Sequence, residues 1–337
     1  MFANELLPDI FALLLAVAVF MYAILDGYDL GVGMLLPWRP DNHQDQMIAS
    51  IGPFWDANET WLVLAVGILL IAFPKAHSII LTELYLPIVV LLIGLIVRGV
   101  SFDFRAKVAQ GRKEYWDKAF KTGSLMAAGA QGFMLGAYVM GFDYSLGAIM
   151  FCMLSVLGVV AAYCLIGACW LLMKTEDDLQ QNALRWSRNA WLYTVLGIVA
   201  VCLVNPLVDE TIFNKWLALG TQSDPGKWLV LLVPVFTIGL LAYLYRLLHS
   251  EITLQDDHCV APFVSTALVF LLCFLGLAYS FYPFVVPGQL TIQETASAAD
   301  SLRFILVGAI VVVPCILAYT AFSYYVFRGK VTDLKYY

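Results

Sequence analysis

Charge is what this sequence has little of. Asp, Glu, Lys and Arg make up 13% of its 337 residues, about half the share of an ordinary soluble domain. Histidine is scarcer still, with His43, His77, His249 and His258 as its four copies. Three of these fall in expected loops, and His77 stands at the edge of an apolar run. A haem held inside a helix bundle by this chain would call for an internal His or Met. The ten methionines are scattered in the manner of packing residues. No two of the seven cysteines have CxxC spacing, so they read as small core residues and not as a metal site or a disulfide frame. Metalloprotease, phosphate-loop and dinucleotide-binding patterns are missing. So is any basic stripe or module suited to nucleic acid.

What the chain has in abundance is apolar surface: 61% of its residues are hydrophobic and its mean hydropathy is +0.82. A membrane span needs about 20 mostly apolar residues. Nine stretches qualify, at roughly 6–36, 48–73, 76–98, 118–141, 145–173, 187–208, 228–248, 260–286 and 302–327. Their length and continuous apolarity, without period-two alternation, predict helices and exclude a barrel. The chain therefore reads as an all-α polytopic membrane protein forming one integral domain. No cleavable signal peptide is expected, because the first run is too long and acids, not bases, precede it. Pro37, Pro74 and Pro206 stand near span ends; Pro87, Pro234 and Pro314 fall inside spans, where kinks are expected.

Orientation follows from the cations. Most Lys and Arg lie in the loops after expected spans 1, 3, 5 and 7 and at the C-terminus, from Arg39 through Lys121 and Lys174 to Lys330 and Lys335. The opposite side has only Lys75, Lys215, Lys227 and Arg303. The positive-inside bias puts the N-terminus outside and the C-terminus in the cytoplasm. The acidic runs Glu176-Asp177-Asp178 and Gln255-Asp256-Asp257 read as solvated loop charges.

Against this apolar background two acidic motifs stand out. Trp55-Asp56-Ala57-Asn58-Glu59-Thr60-Trp61 carries two acids on one helical face, and Asp26-Gly27-Tyr28-Asp29 repeats the spacing in the first span. A carboxylate at the centre of a spanning helix costs roughly 2.5–3.5 kcal/mol on insertion scales. One such acid could simply neutralise an Arg or cap a backbone group. Two matched pairs point to a polar path or site. Counted from the cytoplasmic ends, Asp29 and Asp56 lie at ~12 Å depth, and Asp26 and Glu59 at ~17 Å. In an antiparallel hairpin they can face one another. Four acids this close cannot all stay charged in comfort, which favours proton uptake and sharing. Span 3 ends on the same side with Arg98, Asp103 and Arg105, as counter-ions or as an entrance. Gly31-Val32-Gly33 lacks the context of a phosphate loop and fits close helix contact beside the acids.

Trp55 and Trp61 flank the acids and read first as packing residues. Tyr279, Tyr282 and Phe284 end span 8 on the outer side; an aromatic belt accounts for them, and a quinone ring or lipid could dock on the same surface. The Trp186/Trp191 and Trp216/Trp228 groups read as interfacial anchors.

Taken together, these stretches resemble subunit II of the cytochrome bd-type quinol oxidases. The resemblance rests on residues 26–33, 55–62 and 98–105, and later on Tyr282-Pro283-Phe284-Val285-Val286-Pro287 and Val313 to Thr320, in family order through nearly the whole chain. Residues 84–87 and 95–99 resemble the cyanide-insensitive branch of that family. The resemblance implies two four-helix bundles plus one peripheral helix, with 6–141 as the first bundle and 145–248 and 260–327 supplying the rest. It also implies a partner, the haem-bearing subunit I, which holds haem b and haem d and oxidises quinol; this chain would ligate none. Room is left for a structural quinone and for a small accessory subunit. Residue by residue, Asp26, Asp56 and Asp103 match acids of the family's proposed proton route, with Asp29 and Glu59 at neighbouring motif positions. The chain departs from the usual pattern at Ala57 (commonly Gly), Tyr28 (commonly Phe) and Glu59 (Gln in some members). A proton- or cation-coupled carrier suits the buried acids too, as does a purely structural partner, and both stay open at this stage.

Overall fold

The structure is a computed structural model and describes residues 6–39, 43–208, 214–216, 225–255 and 258–331. Lys335, Asp256 and Asp257, and the side chains of Lys227 and Trp228, lie outside the described residues. Among the described residues, the regular structure is all helical apart from one short hairpin. In order come α1 (Leu7–Leu35), α2 (Gln44–Ile51), α3 (Trp55–Ala72), α4 (Pro74–Glu83), α5 (Tyr85–Lys107) and α6 (Gln110–Val139). Then follow α7 (Leu146–Lys174), α8 (Asp177–Val208), α9 (Pro225–Leu248) and α10 (Ala261–Phe281). The hairpin β1 (Phe284–Val286) and β2 (Leu290–Thr291) leads through the single turn α11 (Ile292–Thr295) to α12 (Ala299–Val326).

Seven of these helices are long and apolar enough to cross a membrane: α1, α3, α5, α7, α8, α10 and α12. The other two expected stretches are helical as well. In α6, charges from Arg112 to Lys121 occupy the first third, and α9 is apolar over Leu232–Leu248.

Three boundaries differ from those expected from the sequence. The second expected span, 48–73, is broken: α2 ends at Ile51, Gly52 and Pro53 follow, and α3 begins at Trp55. Proline has no N–H to continue a helix and clashes with the preceding turn. Asp56 is therefore a first-turn residue of α3, where a negative charge suits the helix dipole. The third expected span, 76–98, is displaced. Residues 74–83 form the separate helix α4, begun by Pro74 at its first position, and the span itself runs from Tyr85 to Lys107. Pro87 consequently stands in the first turn of α5, where it breaks no hydrogen bond. An isolated Arg98 would end a span; here it is neutralised from neighbouring helices, and the span continues past it. The eighth span stops at Phe281, and residues 284–286 are strand.

Lipid is as apolar as leucine, so helices in a membrane associate through close packing of small residues. Gly31 of α1 and Gly167 of α7 meet backbone to backbone. A Cβ on Gly31 would sit 1.9 Å from the Tyr163 carbonyl oxygen, and one on Gly167 would sit 2.6 Å from the Gly31 carbonyl carbon. This contact sets α1, with its acids, against α7.

The last helix is different. Only 6% of its most apolar window is buried, against 39% for α1. It is tied at both ends. Ser297 donates its N–H to the Ala72 carbonyl (2.8 Å) and its hydroxyl to the Ile71 carbonyl (2.7 Å). At the other end Lys174 donates to the Phe327 carbonyl (2.6 Å), and the Val331 N–H donates to the Lys174 carbonyl (2.7 Å). The lysine satisfies carbonyls that a helix C-terminus leaves open.

Candidate functional site

The acids of α1 and α3 meet α5 at Arg98. Asp26 stands nine residues before the end of α1 and Arg98 nine before the end of α5, which puts both ~14 Å along their helices from the basic end. Arg98 donates from Nη1 to Asp26 Oδ1 at 2.6 Å, and its Nη2 lies 2.9 Å from Glu59 Oε1. Arg98 and Asp26 are fully buried, whereas the Glu59 side chain is 27% exposed. One guanidinium thus joins a sealed carboxylate to an open one. The Trp55 ring lies 5.9 Å from the guanidinium carbon and covers this group from one side.

Asp29 belongs to the same cluster and is held differently. It is fully buried, and its Oδ2 accepts a 2.8 Å hydrogen bond from Nδ2 of Asn58. The same amide nitrogen lies 2.9 Å from the Tyr28 hydroxyl and 3.2 Å from the Leu25 carbonyl. Tyr28 OH and Tyr324 OH are 2.6 Å apart, and Tyr324 donates to Asn58 Oδ1 at 3.3 Å. On the far side of Asp26, Gln131 donates to the Tyr22 hydroxyl (2.9 Å) and Tyr163 donates to Gln131 Oε1 (2.6 Å).

The cluster is incompletely paired among the described residues. Asp26 Oδ2, Asp29 Oδ1, Arg98 Nε and Trp61 Nε1 are buried without a hydrogen-bond partner. Glu59 Oε1 and Arg98 Nη2 are close but too poorly aligned for a hydrogen bond. With every carboxyl ionised, Asp26, Asp29 and Glu59 would set three negative charges against one positive. A low-dielectric interior penalises such uncompensated charge by several kcal/mol per ion. Binding a proton removes that penalty, which is the chemistry such a group of side chains offers.

The structure does not bring every expected site residue here. Asp56 is exposed, one helical turn from Glu59, and makes no ion pair among the described residues. Asp103 is also exposed, on α5. Arg105 pairs with other acids than those of the motifs: Asp45 of α2 at 2.7 Å and, through a short contact, Asp117 of α6. Lys113 completes that network at 3.1 Å from Asp45. Burial pushes the Asp45 carboxyl up, but hydrogen bonds and charge from Arg105 and Lys113 outweigh it and hold the group below the usual carboxylate range. A carboxyl lowered in the folded state stabilises above its unfolded value, about pH 4, and loses that contribution as pH falls further. Asp45→Asn is expected to destabilise the fold modestly at pH 7, by no more than about 1 kcal/mol for so exposed a carboxylate. The difference from the parent should shrink below pH 4 in a melting series.

Tyr279 and Tyr282 lie at the opposite end of the molecule from the acids. Lys215 donates to both of their carbonyls at 2.6 Å and sits 4.5 Å from the Tyr279 ring centroid. Tyr282 and Phe284 are exposed.

Asn58 and Tyr324 had no role in the sequence reading. The signal for Asn58 was available: an amide within an apolar run must find partners. Nothing marked Tyr324, which lies 266 residues away in the chain.

Three comparisons bear on this geometry. Residues 7–327 match the family model described as cytochrome bd terminal oxidase subunit II. The chain is 27% identical to cytochrome bd-I ubiquinol oxidase subunit 2 of Escherichia coli strain K12, over 97% of this chain and 96% of that one. It is 26% identical to cytochrome bd ubiquinol oxidase subunit 2 of Bacillus subtilis strain 168, over 97% of each chain. Its fold matches a chain in the structure of bd oxidase from Geobacillus thermodenitrificans with a TM-score of 0.76 at 19% identity, covering 95% of this chain and 97% of that one.

Proposed function

The chain belongs to the cytochrome bd terminal oxidase subunit II family, and on that premise we propose that it is the non-haem subunit of a quinol-oxidising, dioxygen-reducing complex, bracing subunit I and carrying protons to it. Membership makes the chain a multi-pass membrane component of a terminal oxidase that contains haem and a subunit I. In this reading haem b and haem d reside on subunit I. No histidine lies on any of the spanning helices of this chain, and its methionines are scattered in the manner of packing residues, which supports placing the haems on the partner.

The basic end of the bundle is taken as cytoplasmic. From there the proposed route runs through Asp56 and Glu59 to Asp26, with Asp29 beside it and Asp103 near its mouth. The observation that carries this reading is the shared guanidinium. Glu59 is partly open, Asp26 is sealed, and Arg98 touches both. The carboxylate oxygens without partners, Asp26 Oδ2 and Asp29 Oδ1, can accept a proton directly or from water. The two-bundle architecture with a peripheral helix, and a quinone or lipid resting on Tyr279, Tyr282 and Phe284, belong to the same reading. The bareness of α12 and the exposure of Tyr282 and Phe284 support them.

Asp56→Asn tests the route. Oxygen consumption by the intact complex should fall about tenfold or more, equivalent to roughly 1.4 kcal/mol in the barrier. Haem content per protein should stay at the parent value. Unchanged turnover removes the route from this helix pair.

A further inference from the structure

The hydrogen bonds around Asn58 close on themselves. Asn58 Nδ2 lies 2.9 Å from the Tyr28 oxygen, the Tyr28 and Tyr324 oxygens are 2.6 Å apart, and Tyr324 donates to Asn58 Oδ1 at 3.3 Å. Each hydroxyl has one proton to give. Tyr324 gives its proton to the Asn58 carbonyl oxygen, so Tyr28 gives its own to Tyr324, and Tyr28 accepts from the Asn58 amide. The circuit is complete, and with the amide as observed it runs in one direction. It holds no spare proton to pass on, and an amide does not shuttle protons as a carboxyl does, so its role is not conduction.

What the ring does is hold the amide in place. An isolated asparagine amide can turn over, exchanging its nitrogen and oxygen. The two hydroxyls could carry the circuit in either sense, so the sense is set by the acceptor-only groups beside it: a turned amide would set its oxygen against Asp29 Oδ2 and the Leu25 carbonyl. The observed sense points an N–H at Asp29 Oδ2, 2.8 Å away, and leaves Asp29 Oδ1 without a partner. We infer that Tyr28, Asn58 and Tyr324 form a positioning ring that locks the Asn58 amide against one oxygen of Asp29 and reserves the other oxygen for proton exchange. The rings of both tyrosines are themselves pinned: Tyr28 stacks on Trp170 at 4.2 Å and Tyr324 on Phe54 at 4.5 Å. Tyr324 is also the polar link from the sparsely buried α12 to the acid cluster. The lock therefore depends on where that helix sits.

This inference rests on the proton-carrying reading for its purpose but not for its test. The readout is the infrared difference spectrum of the intact complex, in which the Asp29 band is identified by its loss in Asp29→Asn. Tyr28→Phe and Tyr324→Phe each remove one hydroxyl and open the same ring. Each should shift the Asp29 band, and the double variant should shift it no further than the larger single shift, since a ring already open cannot be opened again. Turnover in the two single variants should fall together, by about threefold to tenfold, an effect the size of one lost buried hydrogen bond. An unmoved Asp29 band in both single variants overturns the ring, and so do band shifts that add in the double variant. If the bands shift as expected while Asp29→Asn and Asp56→Asn turn over normally, the ring stands and the proton route falls. Should Tyr28→Phe fail to assemble, Tyr324→Phe, on the less buried side, breaks the same circuit and decides alone.

Discussion

Arg98→Leu is expected to abolish accumulation of the assembled complex. The substitution leaves the fully buried Asp26 and the largely buried Glu59 without their cation. Removing one partner of a buried ion pair costs about 3–5 kcal/mol, because the remaining charge is stranded. Folded proteins have a narrow margin, about 5–15 kcal/mol, so a large part of it is consumed. The decisive feature is rescue. Arg98→Leu combined with Asp26→Asn and Glu59→Gln removes the stranded charges and should restore assembly, measured as complex yield and haem per protein, while turnover stays low. Parent-like yield in the single variant would mean that Arg98 is not the cation that neutralises these acids.

Gly31→Val should be comparably severe and for a reason that no charge change repairs. A Cβ at this position would stand 1.9 Å from the Tyr163 carbonyl oxygen and 3.0 Å from the Gly167 Cα. Both are backbone atoms in the middle of a helix, so the helices must separate. Overpacking of a well-packed contact typically costs 1–3 kcal/mol, and here α1 also carries Asp26 and Asp29 with it. Complex yield should fall sharply, and a smaller residue at Gly167 offers no compensation because glycine is already there. Gly67, whose added Cβ would meet nothing within 4 Å, is the control: Gly67→Ala should leave yield and turnover at parent values.

The membrane-spanning class, the acids and the close approach at Gly31 were all legible from the sequence, because each is a local signal. Apolar runs of the right length have one main explanation, a carboxyl inside such a run has few, and a glycine beside it invites a neighbour. What the sequence did not reveal depends on partners distant in the chain. Arg98 looked like the end of a span because a lone arginine belongs at a boundary; its two acids, 72 residues back in one case, let the helix run on to Lys107. Asp56 and Glu59 share a face, yet the break at Gly52-Pro53 puts Asp56 in the first turn and in the open. Asp29 was expected to face Asp56 and instead meets Asn58. Arg105 was placed near the path, and it serves a separate network with Asp45 and Asp117.

The distance along the chain between Tyr28 and Tyr324 has a consequence for biogenesis. These hydroxyls are 296 positions apart, so the first helix waits in the bilayer while that length of chain is made before its tyrosine meets the other. Until α12 is threaded and docked, the carbonyl oxygen of the asparagine that faces Asp29 lacks the hydroxyl of Tyr324. A ribosome-stalled or truncated product lacking this helix would thus have its acids in place but not yet set.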